Sequence, residues 1–427
     1  MPTSITAAYL DRYRSVADSG GPAELLPLTG AQRRFLLTRR LDPQGRPDVV
    51  PLFFAFPRGT VDPERLRRAA VRLAARHPAL RGRLTALRGT PVLRLGEPSV
   101  EVATVAVGPG GTAVEALRQA LLDRPADGPV LRLLVAAEPE ADEEVLALVL
   151  DHAACDEQSL GIVTDGLGAH YRDGAVDPGA PGDGLAAYRD AVERQLAAEA
   201  AAASPTAHAH WGARLGGLSG TPVSGATRPG TRPTGMLVER LPAATGAARG
   251  AVFPALLDAV SAAGYALFGP DRPLALGYPW GGRPAGTAPD VLGCFLNTLV
   301  HPAAPGPGDL DGLSASWWDD LDHADTPFDE VVHAARSGGA HWSGALDGLL
   351  TFEDLGRRPP LVLDDAVGRE THLAGRPVAA PFAVSASHGS ELLVRLAWDR
   401  DRFRDTAAEA AFRTLLSTLR HHLHPTG

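Results

Sequence analysis

The sequence predicts an α/β fold built as two lobes. Three observations carry that prediction. Apolar runs of strand length alternate with stretches of helical periodicity in both halves. The 427 residues far exceed the roughly 250 to 300 at which a single core stops growing. The periodicity then fails between Asp173 and Gly184, in a run of Asp, Gly, Pro and Ala. The expected division is an N-terminal lobe over residues 1–176 and a C-terminal lobe over 177–427.

Taken in order, Leu52 to Phe56 reads as a strand. Asp62-Pro63-Glu64 then opens a helix with a capping side chain, a proline at its first position and an acid in its first turn. Leu66, Ala70 and Leu73 form the apolar stripe of that helix. It stops at Arg76-His77-Pro78, because proline disfavours helical geometry in the residue before it. Val130 to Ala136 and Val145 to Leu150 are two strands joined by the acidic turn Glu138-Pro139-Glu140-Ala141-Asp142. In the second half, Leu185 to Ala203 reads as a long helix, Met236 to Leu241 as a strand, Phe253 to Phe268 as a helix and Leu274 to Tyr278 as a strand. Asp401 to Leu423 reads as a terminal helix, and no short-period repeat is present.

The segment from 145 to 159 is the most telling for function. Six apolar residues, Val145 to Leu150, give way to Asp151-His152-Ala153-Ala154-Cys155-Asp156-Glu157-Gln158-Ser159. Leu160, Val163, Leu167 and Tyr171 then fall on one helical face, with Asp156 fitting the N-cap. A buried strand fixes the backbone while the loop beyond it leaves a side chain reachable, so His152 is the leading catalytic candidate. The plainer alternative is a satisfied structural histidine. Strand alternation predicts that Asp151 and His152 point to opposite sides. Cys155 could be read as a nucleophile, but a free cysteine is more often a small buried hydrophobe.

Composition removes several chemistries. All 41 basic residues are arginine, so neither a Walker A lysine nor a Schiff-base lysine exists. A net charge of -9 and a pI near 5.9 argue against nucleic acid as the main partner. Arg33, Arg34, Arg39 and Arg40, and the arginines from Arg65 to Arg76, read as solvated helix faces, with a patch for an acidic protein as the sharper alternative. Two cysteines are too few for a disulfide framework, and Met1-Pro2-Thr3-Ser4 lacks the regions of a signal peptide. No apolar stretch is expected to approach the ~20 residues of a membrane span, so a cytoplasmic protein without membrane partners is expected. Gly216-Gly217 and Gly281-Gly282 lack the pattern of a phosphate loop, and His421, His422 and His424 read as a solvated terminus, so no metal is assigned.

Several ordered segments resemble the condensation domains of nonribosomal peptide synthetases. Leu28-Thr29-Gly30-Ala31-Gln32-Arg33-Arg34 resembles their opening S/T-x-A-Q-x-R motif, and Arg76-His77-Pro78-Ala79-Leu80-Arg81 their R-H-x-x-L-R motif. Asp151 to Asp156 stands where that family carries HHxxxDG. Tyr188-Arg189-Asp190, Gly277-Tyr278-Pro279-Trp280-Gly281-Gly282-Arg283, Gly293 to Leu299 and Thr326-Pro327-Phe328-Asp329 resemble its Y-x-D, G-x-P-x-x-G-R, G-x-F-x-N-T and P-F-E segments, in order. The chain departs from the pattern twice: Asp151 replaces the first histidine and Glu157 the glycine. A glycine there permits close backbone approach, whereas a carboxylate adds bulk and charge and could reshape acceptor choice. The same residues satisfy the D-x-x-x-x-D-x-x-S pattern of heterocyclisation domains, although His152 and Gly293 to Leu299 favour plain condensation.

The resemblance implies two chloramphenicol-acetyltransferase-like lobes forming a V-shaped pseudo-dimer around a tunnel, entered from opposite faces by the phosphopantetheine arms of carrier proteins. It implies that His152 receives the proton lost as an amine attacks a carrier-bound thioester, or orients that amine; an imidazole with an ordinary pKa of ~6.5 suits either task. Asp156 should pair with an arginine and hold the loop, Arg283 and Arg81 being the candidates. Asn297, Cys155, Gly293 and Ser159 are candidates near the tunnel. The expected activity is a freestanding condensation enzyme that meets its acyl or peptidyl carrier proteins in trans, with a carrier-bound or small-molecule acceptor and no cofactor of its own. Ester formation with an alcohol, heterocyclisation, and a catalytically silent recruitment module are the alternatives.

Overall fold

The computed structural model describes residues 4–18, 24–42, 48–122, 128–172, 183–220, 234–244, 248–306, 308–354, 359–371, 375 and 378–423. The chain divides into two compact units: Met1–Ala200 with Gly281–Leu296 and Arg358–Leu373, and Ala201–Trp280 with Asn297–Arg357 and Ala374–Gly427. The boundary expected at residue 176 lies outside the described residues. Unlike the contiguous division read from sequence, the first unit runs on to Ala200 and takes back two later segments.

The first unit holds helices α1 (Ile5–Ala17), α2 (Gly30–Leu41), α3 (Pro63–Arg76), α4 (Pro78–Arg81), α5 (Ala113–Leu122), α6 (Glu157–Arg172) and nearly all of α7 (Asp183–Ala202). Its strands are β1 (Leu25–Leu26), β2 (Val49–Pro57), β3 (Gly82–Leu87), β4 (Thr90–Leu95), β5 (Val100–Thr104), β6 (Leu131–Ala137) and β7 (Glu143–Asp151), joined from far down the chain by β12 (Val362–Leu363), β13 (Ala366–Val367) and β14 (Arg369–Thr371). The main sheet has the order β14-β2-β7-β6-β5, antiparallel except where β5 runs parallel to β6. β7 sits in its middle, and Val145 to Leu150 are 0 to 6% exposed, as an unbroken apolar run requires. Helix α3 starts where its local signals place it: Asp62 accepts from the backbone N–H groups of Glu64 and Arg65, ahead of Pro63 at the first helical position. Its face Leu66, Ala70 and Leu73 meets Leu160, Val163 and Leu167 of α6 in one buried cluster over the sheet.

The second unit holds α8 (Pro205–Leu215), α9 (Ala248–Phe268), α10 (Leu310–Leu321), α11 (Phe328–Ser337) and α12 (Asp405–Leu423). Its six-stranded sheet joins β8 (Gly235–Pro242), β9 (Leu274–Trp280), β10 (Asn297–Ala303), β11 (Gly348–Asp354), β15 (Phe382–His388) and β16 (Glu391–Trp398) in the order β10-β9-β11-β15-β16-β8. Within α9, Gly250–Phe268 is long and apolar enough to cross a membrane by length and composition, which corrects the expectation that no stretch approaches that length. Its position in the unit explains that composition. Ala255, Leu256, Val260 and Ala263 are fully buried in the core that α9 shares with α12 and the sheet.

Candidate active site

The strand order builds the site. β7 and β2 pair with Asp151 opposite Val49, so the next step along the ladder brings Asp48 beside His152, and the His152 N–H donates to the Asp48 carbonyl at 2.9 Å. The ladder ends there. His152 to Ala154 wind into a single 3₁₀ turn, capped by the Asp151 carboxylate accepting from the Ala153 N–H at 2.9 Å. Opposite-side alternation, which assumed an extended chain through His152, therefore does not apply: the side chains are set by a turn.

His152 is half-buried, and its ring lies 4.9 Å, centroid to centroid, from that of Phe35 on α2. Its Nδ1 is buried and has no hydrogen-bond partner among the described residues. Arg39, one turn further along α2, reaches Asp151 at 2.6 Å and Asp48 at 3.5 Å. Burial works against the charge on Arg39, but the two carboxylates outweigh it and raise the guanidinium above its ordinary value. Burial also raises Asp48, opposed by the positive charge of Arg39 and by the neighbouring imidazole. Arg33 is likewise turned inward, bonded to Thr6, the Leu28 carbonyl and Glu199 and stacked on Tyr9. Reading Arg33 and Arg39 as a solvated face is thus corrected, because each has an internal carboxylate supplied by a distant segment.

Behind the turn sits a buried charged core. Asp156 accepts from Arg283 Nε at 3.1 Å and Nη2 at 2.6 Å, from the Ser159 N–H at 2.9 Å and from the Phe295 N–H at 3.3 Å. The Arg283 and Asp156 side chains are 7% and 3% exposed. Ser159, fully buried, places Oγ 2.8 Å from Asp156 Oδ1 and 2.9 Å from the Gly293 carbonyl, and accepts from the Gly293 N–H at 3.1 Å. Arg81, the other candidate partner for Asp156, instead donates to the Gly96 carbonyl at 3.2 Å.

Of the residues expected at a tunnel, Cys155 and Gly293 are both buried within the packing. Cys155 is fully inaccessible, and burial pushes its thiol well above the ordinary range, which removes the nucleophile reading. Gly293 fits against Phe295 and Tyr188: an added Cβ would stand 2.3 Å from the Phe295 ring and 3.1 Å from the Tyr188 ring. Asn297 belongs to the second unit, where its amide donates to the Ala324 and Thr326 carbonyls at 2.8 and 2.6 Å. Glu157 is exposed at the first position of α6, where a carboxylate suits the positive end of the helix.

The opening motif also belongs to this assembly. Thr29 and Gln32 form a capping box at the start of α2, the Gln32 amide donates to the Ala153 carbonyl at 3.0 Å, and the Thr29 hydroxyl donates to the Cys294 carbonyl at 3.0 Å. The sequence reading names neither Phe35 nor Asp48, and it takes Arg39 only as part of a solvated helix face. An arginine spacing inconsistent with a purely outward face was the available signal for Arg39, and none existed for Asp48.

No family model matches the chain. Among curated proteins it is 28% identical over 367 residues to a probable non-canonical nonribosomal peptide synthetase of Salinispora arenicola (strain CNS-205), covering 75% of this chain and 5% of that protein. It is 31% identical over 150 residues to the malformin synthetase of Aspergillus neoniger (strain CBS 115656), covering 35% of this chain and 3% of that one. The chain thus spans only a small part of either relative. Among solved structures it matches the first condensation domain of the calcium-dependent antibiotic synthetase in complex with a substrate analogue, with a TM-score of 0.70 and 18% identity over 95% of this chain and 98% of that one. It also matches a four-domain nonribosomal peptide synthetase bound to AMP and glycine, with a TM-score of 0.72 and 16% identity over 94% of this chain and 33% of that one. The condensation domain of the Monacolin K polyketide synthase is similar too, with a TM-score of 0.69, 14% identity and 95% and 99% coverage. The fold is that of the condensation domains, which is chloramphenicol-acetyltransferase-like.

Proposed function

We propose that this chain, which has the condensation-domain fold, joins a carrier-protein-bound acyl or aminoacyl thioester to an amine. The observation that carries the reading is His152. It stands at the end of a buried strand with Nδ1 shut away, and its backbone is fixed by the Asp48 carbonyl and the Asp151 cap. The turn thus fixes where the side chain leaves the backbone, and the Phe35 ring packs against the imidazole.

The chemistry balances without a cofactor from the protein. The acceptor nitrogen attacks the thioester carbonyl, a C–N bond forms as the C–S bond breaks, and the nitrogen's proton is passed to the departing thiolate, His152 holding it in between. Such proton transfer contributes roughly 10²- to 10⁴-fold, and holding the two reactants together contributes much of the rest. The substrates would arrive on phosphopantetheine arms, and the setting would be cytoplasmic.

The two aspartates of the D-x-x-x-x-D pattern are each committed to an arginine, Asp151 to Arg39 and Asp156 to Arg283, so neither supports a ring-forming reaction over a simple condensation. The test is mass spectrometry of products from acyl-pantetheine thioesters offered with a panel of amino acids and amines, and with alcohols as a control arm. Amide product from the wild type, reduced roughly 10²-fold or more in His152→Ala, supports the reading. Undiminished product in the variant refutes the role of His152; ester from the alcohol arm alone moves the assignment to ester formation.

A further inference from the structure

We propose that Asp48, Arg39 and Asp151 form a carboxylate–guanidinium–carboxylate bridge that positions His152 and gives it a counter-charge when it takes up a proton. The proposal deepens the condensation reading and rests on it for its catalytic meaning. It also explains what an aspartate does at position 151, where the resemblance would place a histidine.

The β2–β7 ladder and the His152 N–H bond to the Asp48 carbonyl set Asp48 across from His152, and Asp151 is the last residue of β7, so two aspartates flank His152 along the backbone. One guanidinium serves both, at 2.6 Å to Asp151 and 3.5 Å to Asp48. Two negative charges and one positive leave the bridge at a net charge of about -1, at partly buried positions where Coulomb interactions exceed their strength in bulk water. The side chains of Arg39, Asp48 and Asp151 are 31%, 21% and 13% exposed.

The ring itself has neutral neighbours. Phe35 packs against it from α2 and the fully buried Cys155 follows it in the chain, while Asp48 of the bridge interacts electrostatically with it. The buried Nδ1 has no hydrogen-bond partner among the described residues, so no described carboxylate bonds that nitrogen. As the acceptor's proton moves onto the imidazole, the ring changes from neutral to positive, and the bridge is the counter-charge we assign to it. The Asp48 main chain and the Asp151 cap meanwhile hold the turn in place. These are positioning residues, since they act through His152.

The experiment needs no knowledge of substrate. Diethyl pyrocarbonate modifies only neutral imidazole, and peptide mass spectrometry follows the modification of His152 in the full chain as a function of pH, in wild type and in Asp48→Asn, Asp151→Asn and Arg39→Gln. Removing a carboxylate moves the midpoint of reactivity to lower pH, so His152 in the two asparagine variants reacts about threefold faster on the acid side, the change that half a pH unit produces. Removing the guanidinium moves it to higher pH. A purely structural role does not produce shifts of opposite sign. Asp48→Glu, which keeps the charge, restores the wild-type midpoint even if an asparagine variant folds poorly. Unchanged midpoints, or midpoints that all move one way, overturn the bridge while leaving the condensation reading intact. Wild-type His152 that resists modification at every pH overturns both the bridge and the role of His152, and undiminished amide formation in His152→Ala refutes that role while the pH shifts still test the bridge.

Discussion

Removing Asp156 should unfold the first unit before it impairs any chemistry. Asp156→Ala leaves the Arg283 guanidinium in a site where its side chain is 7% exposed, and it removes acceptors from Ser159 and Phe295 at the same time. Breaking a buried ion pair on one side costs about 3 to 5 kcal/mol, and the near-complete burial of both partners leaves little solvent screening to reduce that figure. Against a total stability of roughly 5 to 15 kcal/mol the loss is large. The comparison variant is the double change Asp156→Leu/Arg283→Met, which removes both charges and should recover most of the loss. Urea unfolding followed by far-UV circular dichroism gives the magnitude, and hydrogen exchange of peptides from 145–172 and 283–296 locates it. All six tryptophans lie in the second unit, so their fluorescence is the internal control. A single-variant cost below about 1 kcal/mol, or costs that simply add in the double variant, would refute the idea that this pair holds the loop.

Two further predictions concern packing and pH. Gly293→Ala should destabilise the first unit by roughly 1 to 3 kcal/mol, since the new methyl meets the buried Phe295 and Tyr188 rings; calorimetry showing an unchanged melting temperature would contradict the packing described. His301, buried on β10, has its pKa lowered to about 3 by desolvation and then by Arg214. Its depressed folded-state value means that the unfolded chain takes up the proton first, so its contribution is fully present above about pH 6.5 and is lost as pH falls from there toward 3. Tryptophan fluorescence should therefore show the second unit weakening below pH 6.5, and His301→Leu should flatten that slope; an equally steep slope in the variant argues against His301 as its source.

Much of the local structure was legible because local rules were not contradicted by tertiary context. The Asp62-Pro63-Glu64 start of α3, the apolar run of β7 and the buried face Leu160, Val163, Leu167 and Tyr171 follow from capping, burial on both sheet faces and helical periodicity. His152 is visible in the sequence because the apolar run of β7 ends abruptly in Asp151 and His152. The pairing of Arg39 with Asp48 and Asp151 was not visible, because it depends on the register between β2 and β7, which no local signal fixes. The 3₁₀ turn after Asp151 escaped notice for a similar reason: a strand ending in Asp-His-Ala-Ala carries neither glycine nor proline to announce it. Assigning Arg283 to Asp156 rather than Arg81 likewise required knowing that 281–296 returns to the first unit.

That return has a consequence for synthesis on the ribosome. Asp156 emerges 127 positions ahead of Arg283, and the β2 edge stays open until the strand Arg369–Thr371 arrives to cover it. At the roughly 5 to 20 residues per second of translation, the nascent first unit spends many seconds with a carboxylate lacking its counterion and a sheet edge free to pair wrongly. Meanwhile the helix and strand through Trp280 are already available to begin the other core. The order of completion is thus interleaved, and the histidine loop gains its final shape only after Arg283 has been made.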